Sequence, residues 1–214
     1  SIKNAWPSND YYICFISEGF SPFANYKTNA SWESVKELEK IGLGDDINLV
    51  VEKIEVVYDH VDSRIPELWK KYKPKLVVHC GVSSIAHYLT LEQRGHRQGY
   101  ISQDESGKTP RQEMCLCSDK DCIESGLEMS KVCEAVNSSD CGVIAVVSQD
   151  AGRFLCDYTY FSSLSIDSSR TAFIHVPTID KPYTAQQLAQ AIRIATLCML
   201  EQLECFILEN CQDD

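Results

Sequence analysis

The chain has no surplus of basic charge, no apolar run of membrane length and no glycine-rich phosphate loop, and each absence removes a class of function. Lys and Arg number 20 against 31 Asp and Glu, for a formal net charge of −11. The clustered cations that neutralise phosphates are missing, which argues against general nucleic-acid binding and for small or weakly charged partners. No apolar stretch approaches the ~20 residues of a membrane span, so no transmembrane segment is expected. Neither GxxxxGK nor GxGxxG follows any predicted strand, so nucleotide chemistry has no support. Paired CxxC halves are lacking too: Cys115-Leu116-Cys117 with Cys122 resembles a metal site only superficially and does not have zinc-site spacing, so a zinc site is not expected. Eleven cysteines are present, but they are scattered and odd in number. Several (Cys14, Cys80, Cys198, Cys205) fall in apolar periodic segments, where reduced cysteine behaves as a small core residue. The run YYICFIS near the start is too short for a signal peptide, and a reducing cytoplasmic compartment is expected.

What is present suits one α/β domain spanning 1–214. At 214 residues and 24.1 kDa the chain can bury a sizeable core, while two domains would be cramped. A strand is predicted over Tyr11–Ser17, leading into the turn-rich GFSPF at 19–23. A helix over Asn29–Ile41 has apolar residues at three-residue steps, Asn29 or Ser31 as N-cap and Gly42 as its stop. A strand over Ile47–Tyr58, a helix over Asp62–Tyr72 and a buried strand at Lys75–Cys80 follow. Tyr88–Glu92 has strand propensity, and Ile101–Asp121 reads as an exposed excursion. A helix near 128–136, a strand over Gly142–Val147, a helix over Asp150–Leu164 and a strand over Thr171–Val176 come next. A capping box, Thr184-Ala-Gln-Gln187, opens a last helix reaching about Leu208, with an acidic tail at 209–214. Residues 1–10 are expected to be loose. This alternation, without internal repeats, predicts an α/β/α sandwich: a mostly parallel twisted sheet with helices on both faces.

Chemistry concentrates at two segments. SQDAGRFLCDYTYF (148–161) places Cys156 just inside a strand-to-helix junction, where the helix dipole and its first N–H groups favour a thiolate and can hold an oxyanion. TAFIHVP offers His175 near a strand end, just before Pro177. His60, His79, His87 and His96 compete with it, and a histidine in an apolar strand is more often a core residue than a base. Glu92 is a carboxylate where strand propensity does not want one, either on an exposed edge or at a site. Phe20 and Phe23 flank Ser21-Pro22 and serve either a core or a small apolar pocket. A Cys-His-acid hydrolase is the working expectation, with Cys156 as nucleophile and His175 as base.

Together these segments resemble the pyroglutamyl-peptidase I family of cysteine omega-peptidases, in its animal form. GFSPF is similar to the family's GFxPF, NASWESVKELEKIGLGDDINL to its first helix and second strand, and LVVHCGVS with LTLEQRGHRQGY to its centre. SQDAGRFLCDYTYFSSL and TAFIHVP are similar to its nucleophile and histidine segments. The resemblance implies Cys156 as nucleophile, His175 as general base and acid, and Glu92 as the residue orienting His175. Phe20, Phe23, Phe154 and Leu155 would line a pyroglutamyl pocket. It implies an α/β/α sandwich without cofactor, a cytosolic monomer, and peptides with N-terminal pyroglutamate as substrates. Such a residue is a neutral lactam without an α-ammonium, which suits apolar walls rather than carboxylates. Ser21 and Ala24 depart from the glycines of the animal GFGPFG loop, and Glu18 stands where Thr is common. A homologue that binds the lactam without cleaving it, and a cysteine hydrolase for another small amide, are the alternative readings.

Overall fold

The computed structural model describes residues 12–19 and 29–210. In chain order the elements are β1 (Tyr12–Gly19), α1 (Ala30–Ile41), β2 (Asn48–Glu55), α2 (Tyr58–Tyr72), β3 (Leu76–Val82), β4 (Leu89–Glu92), β5 (Arg94–His96), β6 (Cys122–Glu124), α3 (Met129–Asn137), β7 (Ala145–Ser148), α4 (Leu155–Asp167), β8 (Thr171–Val176) and α5 (Ala185–Asn210). Among the described residues the main sheet has six strands in the order β2-β1-β3-β8-β4-β7, and β5 pairs with β6 in a separate ribbon. Pairing is parallel except where β4 meets β8. The sheet is therefore mostly parallel, as expected, with its last two strands reversed. No helix of the described residues is long and apolar enough to cross a membrane.

Strand alternation divides the core in two. On one face Phe15, Val78, Cys80, Ala172 and Ile174 pack with α1, α3 and α5; on the other Cys14, Ile16, Val77 and Phe173 pack with α2 and α4. Successive side chains of a strand point to opposite faces, so this split follows directly from the period of two. β3 and β8 are buried along nearly their whole length and read as continuous apolar runs, as interior parallel strands do.

Local signals set most element ends. The Asn29 side chain accepts from the Ser31 and Trp32 amides at 3.0 and 3.3 Å, and Gly42, at φ 66°, donates to the Leu38 carbonyl at 2.8 Å. The reciprocal bonds of the capping box form at α5, Gln187 N–H to Thr184 Oγ1 at 3.2 Å and Thr184 N–H to Gln187 Oε1 at 3.0 Å. Several boundaries differ from expectation by a few residues, two helix starts most of all. α2 begins at Tyr58 rather than Asp62, because Asp104 caps it from 46 residues away by accepting from the Tyr58 amide at 2.9 Å. α4 begins at Leu155 rather than Asp150: Asp150 Oδ1 accepts from Gly152 N–H at 3.0 Å, and Gly152, at φ 89°, adopts a left-handed conformation that holds residues 149–154 as a loop.

The segment 101–121 is largely exposed, but Asp104 and Cys115 tie it to the body. The ribbon at its base was not anticipated; its strands are three residues each, too short to show a period.

His79 lies on the β3 face toward α4, fully buried, with Nε2 2.7 Å from Ser163 Oγ. Burial lowers its pKa to about 3, so the ring is neutral in the folded protein. The unfolded state binds a proton near the ordinary value of about 6.5 and the native state does not. Stability is therefore intact above that value and falls as the pH drops toward 3, by about 1.4 kcal/mol per pH unit. We predict that His79→Gln flattens this part of the stability profile in urea titrations at pH 4 to 7; an unchanged acid slope would count against His79 as its source.

Candidate active site

The site lies on the α2/α4 face of the sheet, where β3, β8 and β4 run side by side. In the parallel β3/β8 ladder Gly81 is opposite His175, and in the antiparallel β8/β4 ladder Glu92 is opposite Phe173, two residues before His175. Residues paired in a ladder, or two apart on a strand, share a face. The His175 and Glu92 side chains accordingly meet diagonally: His175 Nδ1 lies 2.8 Å from Glu92 Oε1, and both are buried, at 7% and 2% exposure. The carboxylate accepts, so Nδ1 is the protonated nitrogen. Among the described residues Glu92 Oε2 is buried without a hydrogen-bond partner, an arrangement that costs stability and is tolerated mainly where a carboxylate has work beyond packing.

Cys156 arrives from the opposite side of β8. It occupies the first turn of α4, where the first helical bond runs from Tyr158 N–H to the Phe154 carbonyl at 3.0 Å. Its sulfur stands over Gly81: a β-carbon added at Gly81 would sit 2.8 Å from Cys156 Sγ and 2.9 Å from Phe173 Cζ. Because Gly81 is the neighbour of His175 across the ladder, the sulfur and the imidazole share one face on adjacent strands, which lie about 4.8 Å apart. β8 runs between β3 and β4. His175 Nδ1 is turned to Glu92 on the β4 side, and the Cys156 sulfur sits on the β3 side of β8.

The first turn of α4 is fixed from below. Asp157, fully buried, receives the Tyr100 hydroxyl at 3.0 Å and the His96 amide at 3.3 Å, and has the His96 ring and Arg153 near it at 3.4 and 3.6 Å. Burial raises its carboxyl pKa while His96 and Arg153 act against that rise. Tyr58, Tyr100 and Tyr158 form edge-on and tilted ring pairs beneath the helix, and the Phe154 ring meets Tyr58 at 6.2 Å and 90°.

The structure thus brings Cys156, His175 and Glu92 to one place. Phe154 is half-buried beside them and Leu155, at 1% exposure, belongs to the core beneath. Phe20, Phe23, Ser21 and Ala24 lie outside the described residues. Of the competing histidines, His79 is a neutral core residue, His96 serves Asp157, His60 lies 3.7 Å from Glu55 and His87 is exposed. Among the described residues no three His, Cys, Asp or Glu side chains converge as a metal-ligand set.

Sequence reasoning missed Gly81 and Asp157. A glycine in an apolar strand signals close approach by something, which was a usable hint; an aspartate in a helix's first turn looks like ordinary dipole complementation.

A thiol at a helix N-terminus, an imidazole and a buried carboxylate on one sheet face are the parts of a cysteine hydrolase. Comparison with known proteins gives the class its particular member. The pyroglutamyl peptidase family model matches residues 15–206, and the chain belongs to that family. It is 46% identical over 189 residues to Pyroglutamyl-peptidase 1 of Homo sapiens, covering 88% of this chain and 90% of that protein. It is 25% identical over 173 residues to a Pyrrolidone-carboxylate peptidase of Pseudomonas fluorescens, covering 79% and 80%. The pyrrolidone carboxyl peptidase structure from Thermococcus litoralis superposes with a TM-score of 0.78 at 20% identity, over 91% of this chain and 95% of that one, which shows a common fold.

Gly81→Ala places a methyl group against both the Cys156 sulfur and the Phe173 ring. Overpacking of that kind should cost about 1–3 kcal/mol in urea unfolding and slow alkylation of Cys156 by iodoacetamide. Parent-like stability and alkylation in this variant would mean that the sulfur does not rest on Gly81.

Proposed function

We propose that this protein is a cysteine peptidase that removes the pyroglutamyl residue from the N-terminus of peptides, with Cys156 as nucleophile, His175 as general base and acid, and Glu92 as the residue that orients His175. The observation that carries this reading is the bridge His175 makes between Glu92 at Nδ1 and the side of the sheet that bears the Cys156 sulfur. Family membership supports the reaction, and the placement of the three side chains supports these roles.

In the first step the imidazole draws the thiol proton and the sulfur attacks the carbonyl that joins pyroglutamate to the next residue. The tetrahedral oxyanion forms beside the first turn of α4, whose amides and dipole favour negative charge. His175, now protonated and held by Glu92, gives its proton to the leaving amine, and a thioester remains on Cys156. Water, activated by the same imidazole, then releases free pyroglutamate and restores the thiol. Glu92 stays ionised throughout; its task is to fix the tautomer and offset the imidazolium charge.

The lactam offers a flat apolar ring and two amide groups with no net charge. Phe20, Phe23 and Phe154 are the residues we assign to its pocket, with Leu155 packed in the core behind Phe154. We take the protein to act as a monomer in the cytoplasm, one domain over 1–214, needing no cofactor.

Release of a chromophore from a pyroglutamyl amide tests the reading. Turnover should disappear in Cys156→Ala and after alkylation of the parent protein. No turnover by the intact, reduced parent that still binds the lactam would favour a non-catalytic binder, and preference for a free N-terminus would remove the pyroglutamyl assignment. Glu92→Gln keeps a side chain of the same shape and loses the charge. It should lower kcat by roughly one to three orders of magnitude with KM little changed, short of the ~10⁴-fold loss seen when an amide reverses the tautomer of a triad histidine. An unchanged kcat would take Glu92 out of the mechanism.

A further inference from the structure

The segment between β5 and β6 carries a second pair of reactive groups that the hydrolytic site does not use. Cys115 Sγ and Cys117 Sγ lie 2.9 Å apart, closer than sulfurs in ordinary non-bonded contact, and a turn at Leu116-Cys117 folds the two residues toward each other. The pair is asymmetric. Cys115 is fully buried, its amide bonded to the Arg97 carbonyl at 2.7 Å, while Cys117 is exposed. α4 and α2 face the pair: the Tyr158 hydroxyl interacts with Cys115, the Ser165 side chain with Cys117, and Asp62, bonded to Tyr158 at 2.7 Å, is the nearby carboxylate.

We propose that Cys115 and Cys117 are a redox-active dithiol that closes to a disulfide by exchange with a low-molecular-weight disulfide, separately from Cys156. Exposed Cys117 is the attacking thiol. Its sulfur displaces one thiolate from the small disulfide and forms a mixed disulfide. Cys115 then loses its proton, and its sulfur attacks that of Cys117 and expels the second small thiolate. Two protein thiols are oxidised by two electrons, one small disulfide is reduced to two thiols, and no other reactant is required. Closure needs the sulfurs to move by on the order of 1 Å to reach a bond of about 2.05 Å.

The electrostatics run the same way. The contact between the two sulfurs lowers the Cys117 thiol below the ordinary range, and the same contact, with burial, raises Cys115. A thiol lowered in this way carries more thiolate than an ordinary one while keeping good nucleophilicity.

The test uses the reduced full chain exposed to oxidised glutathione, with remaining thiols then blocked by iodoacetamide and the protein digested with trypsin. The peptide QEMCLCSDK, Gln112 to Lys120, holds both thiols and no other cysteine. It should appear two hydrogens lighter and unalkylated, at least about tenfold faster than glutathione accumulates on exposed Cys205. Bridging should proceed equally in Cys156→Ser and be lost in Cys117→Ser, where the peptide carries no persistent glutathione. A stable glutathione adduct on Cys117 without closure, modification no faster than at Cys205, or a bridge that depends on Cys156 would each overturn the proposal.

Discussion

The hydrogen bond between His175 and Glu92 spans the place where the sheet reverses direction, and much of the architecture exists to hold it. Among the described residues β4 and β8 form the antiparallel pairing of an otherwise parallel sheet. That pairing sets Glu92 opposite Phe173, so its carboxylate reaches His175 along the diagonal and not head-on. A slip of one residue would send the carboxylate to the other face, into the packing of α1, α3 and α5. Register is accordingly pinned on the far side as well, where β4 pairs with β7 from Leu89 to Glu92. Below the pair, the Phe173 ring tilts against the His175 ring at 4.7 Å and against Tyr160 at 5.6 Å, while the Tyr160 hydroxyl donates to the Glu92 carbonyl at 2.9 Å. A buried carboxylate with one unpaired oxygen is unfavourable on its own account, and packing this dense keeps it from turning away toward solvent.

The sulfur is placed by a different device. β7 runs antiparallel to β8, so residues 149–154 must carry the chain back before α4 can set its first turn over β3. Gly152 permits the turn, and Asp157 locks its outcome by binding Tyr100 and His96, residues that precede the exposed 101–121 segment. Gly81 removes the last obstacle by leaving no β-carbon in the sulfur's way. Three separated stretches of chain therefore determine where one thiol sits. Such division of labour gives precision, since no single loop can drift without straining two partners.

What the sequence revealed, and what it hid, follows from the range of the interactions concerned. α1 and α5 were legible to within a residue at their starts because their caps are local, Asn29 and the Thr184–Gln187 box. β8 was legible because six consecutive buried residues between a turn and a proline admit little else. The start of α2 was hidden because its cap, Asp104, comes from the middle of an apparent loop. The reversal of β4 and β7 was hidden too: short apolar strands carry no mark of direction. Cys156 and His175 were recognisable as a thiol near a helix start and an imidazole near a strand end. Glu92 stood out only as a charge in the wrong company. Gly81 and Asp157 act through contacts 75 and more than 50 residues away in sequence, which no local pattern encodes.

The cysteines show how one residue type is given opposite fates by its surroundings. Cys14 sits within β1 in the core and is pushed up to about 12, chiefly by desolvation, and burial likewise raises Cys122, Cys133 and Cys198. A thiol held protonated in this way is a poor nucleophile, so these positions serve as packing. Cys117 escapes that fate because it is exposed and lies against the Cys115 sulfur instead of a hydrocarbon wall. Cys156 is also buried, at 6% exposure, but it is packed into a helix N-terminus, where aligned peptide dipoles favour a thiolate. The same desolvation that builds the core thus holds Cys14, Cys122, Cys133 and Cys198 toward their protonated forms.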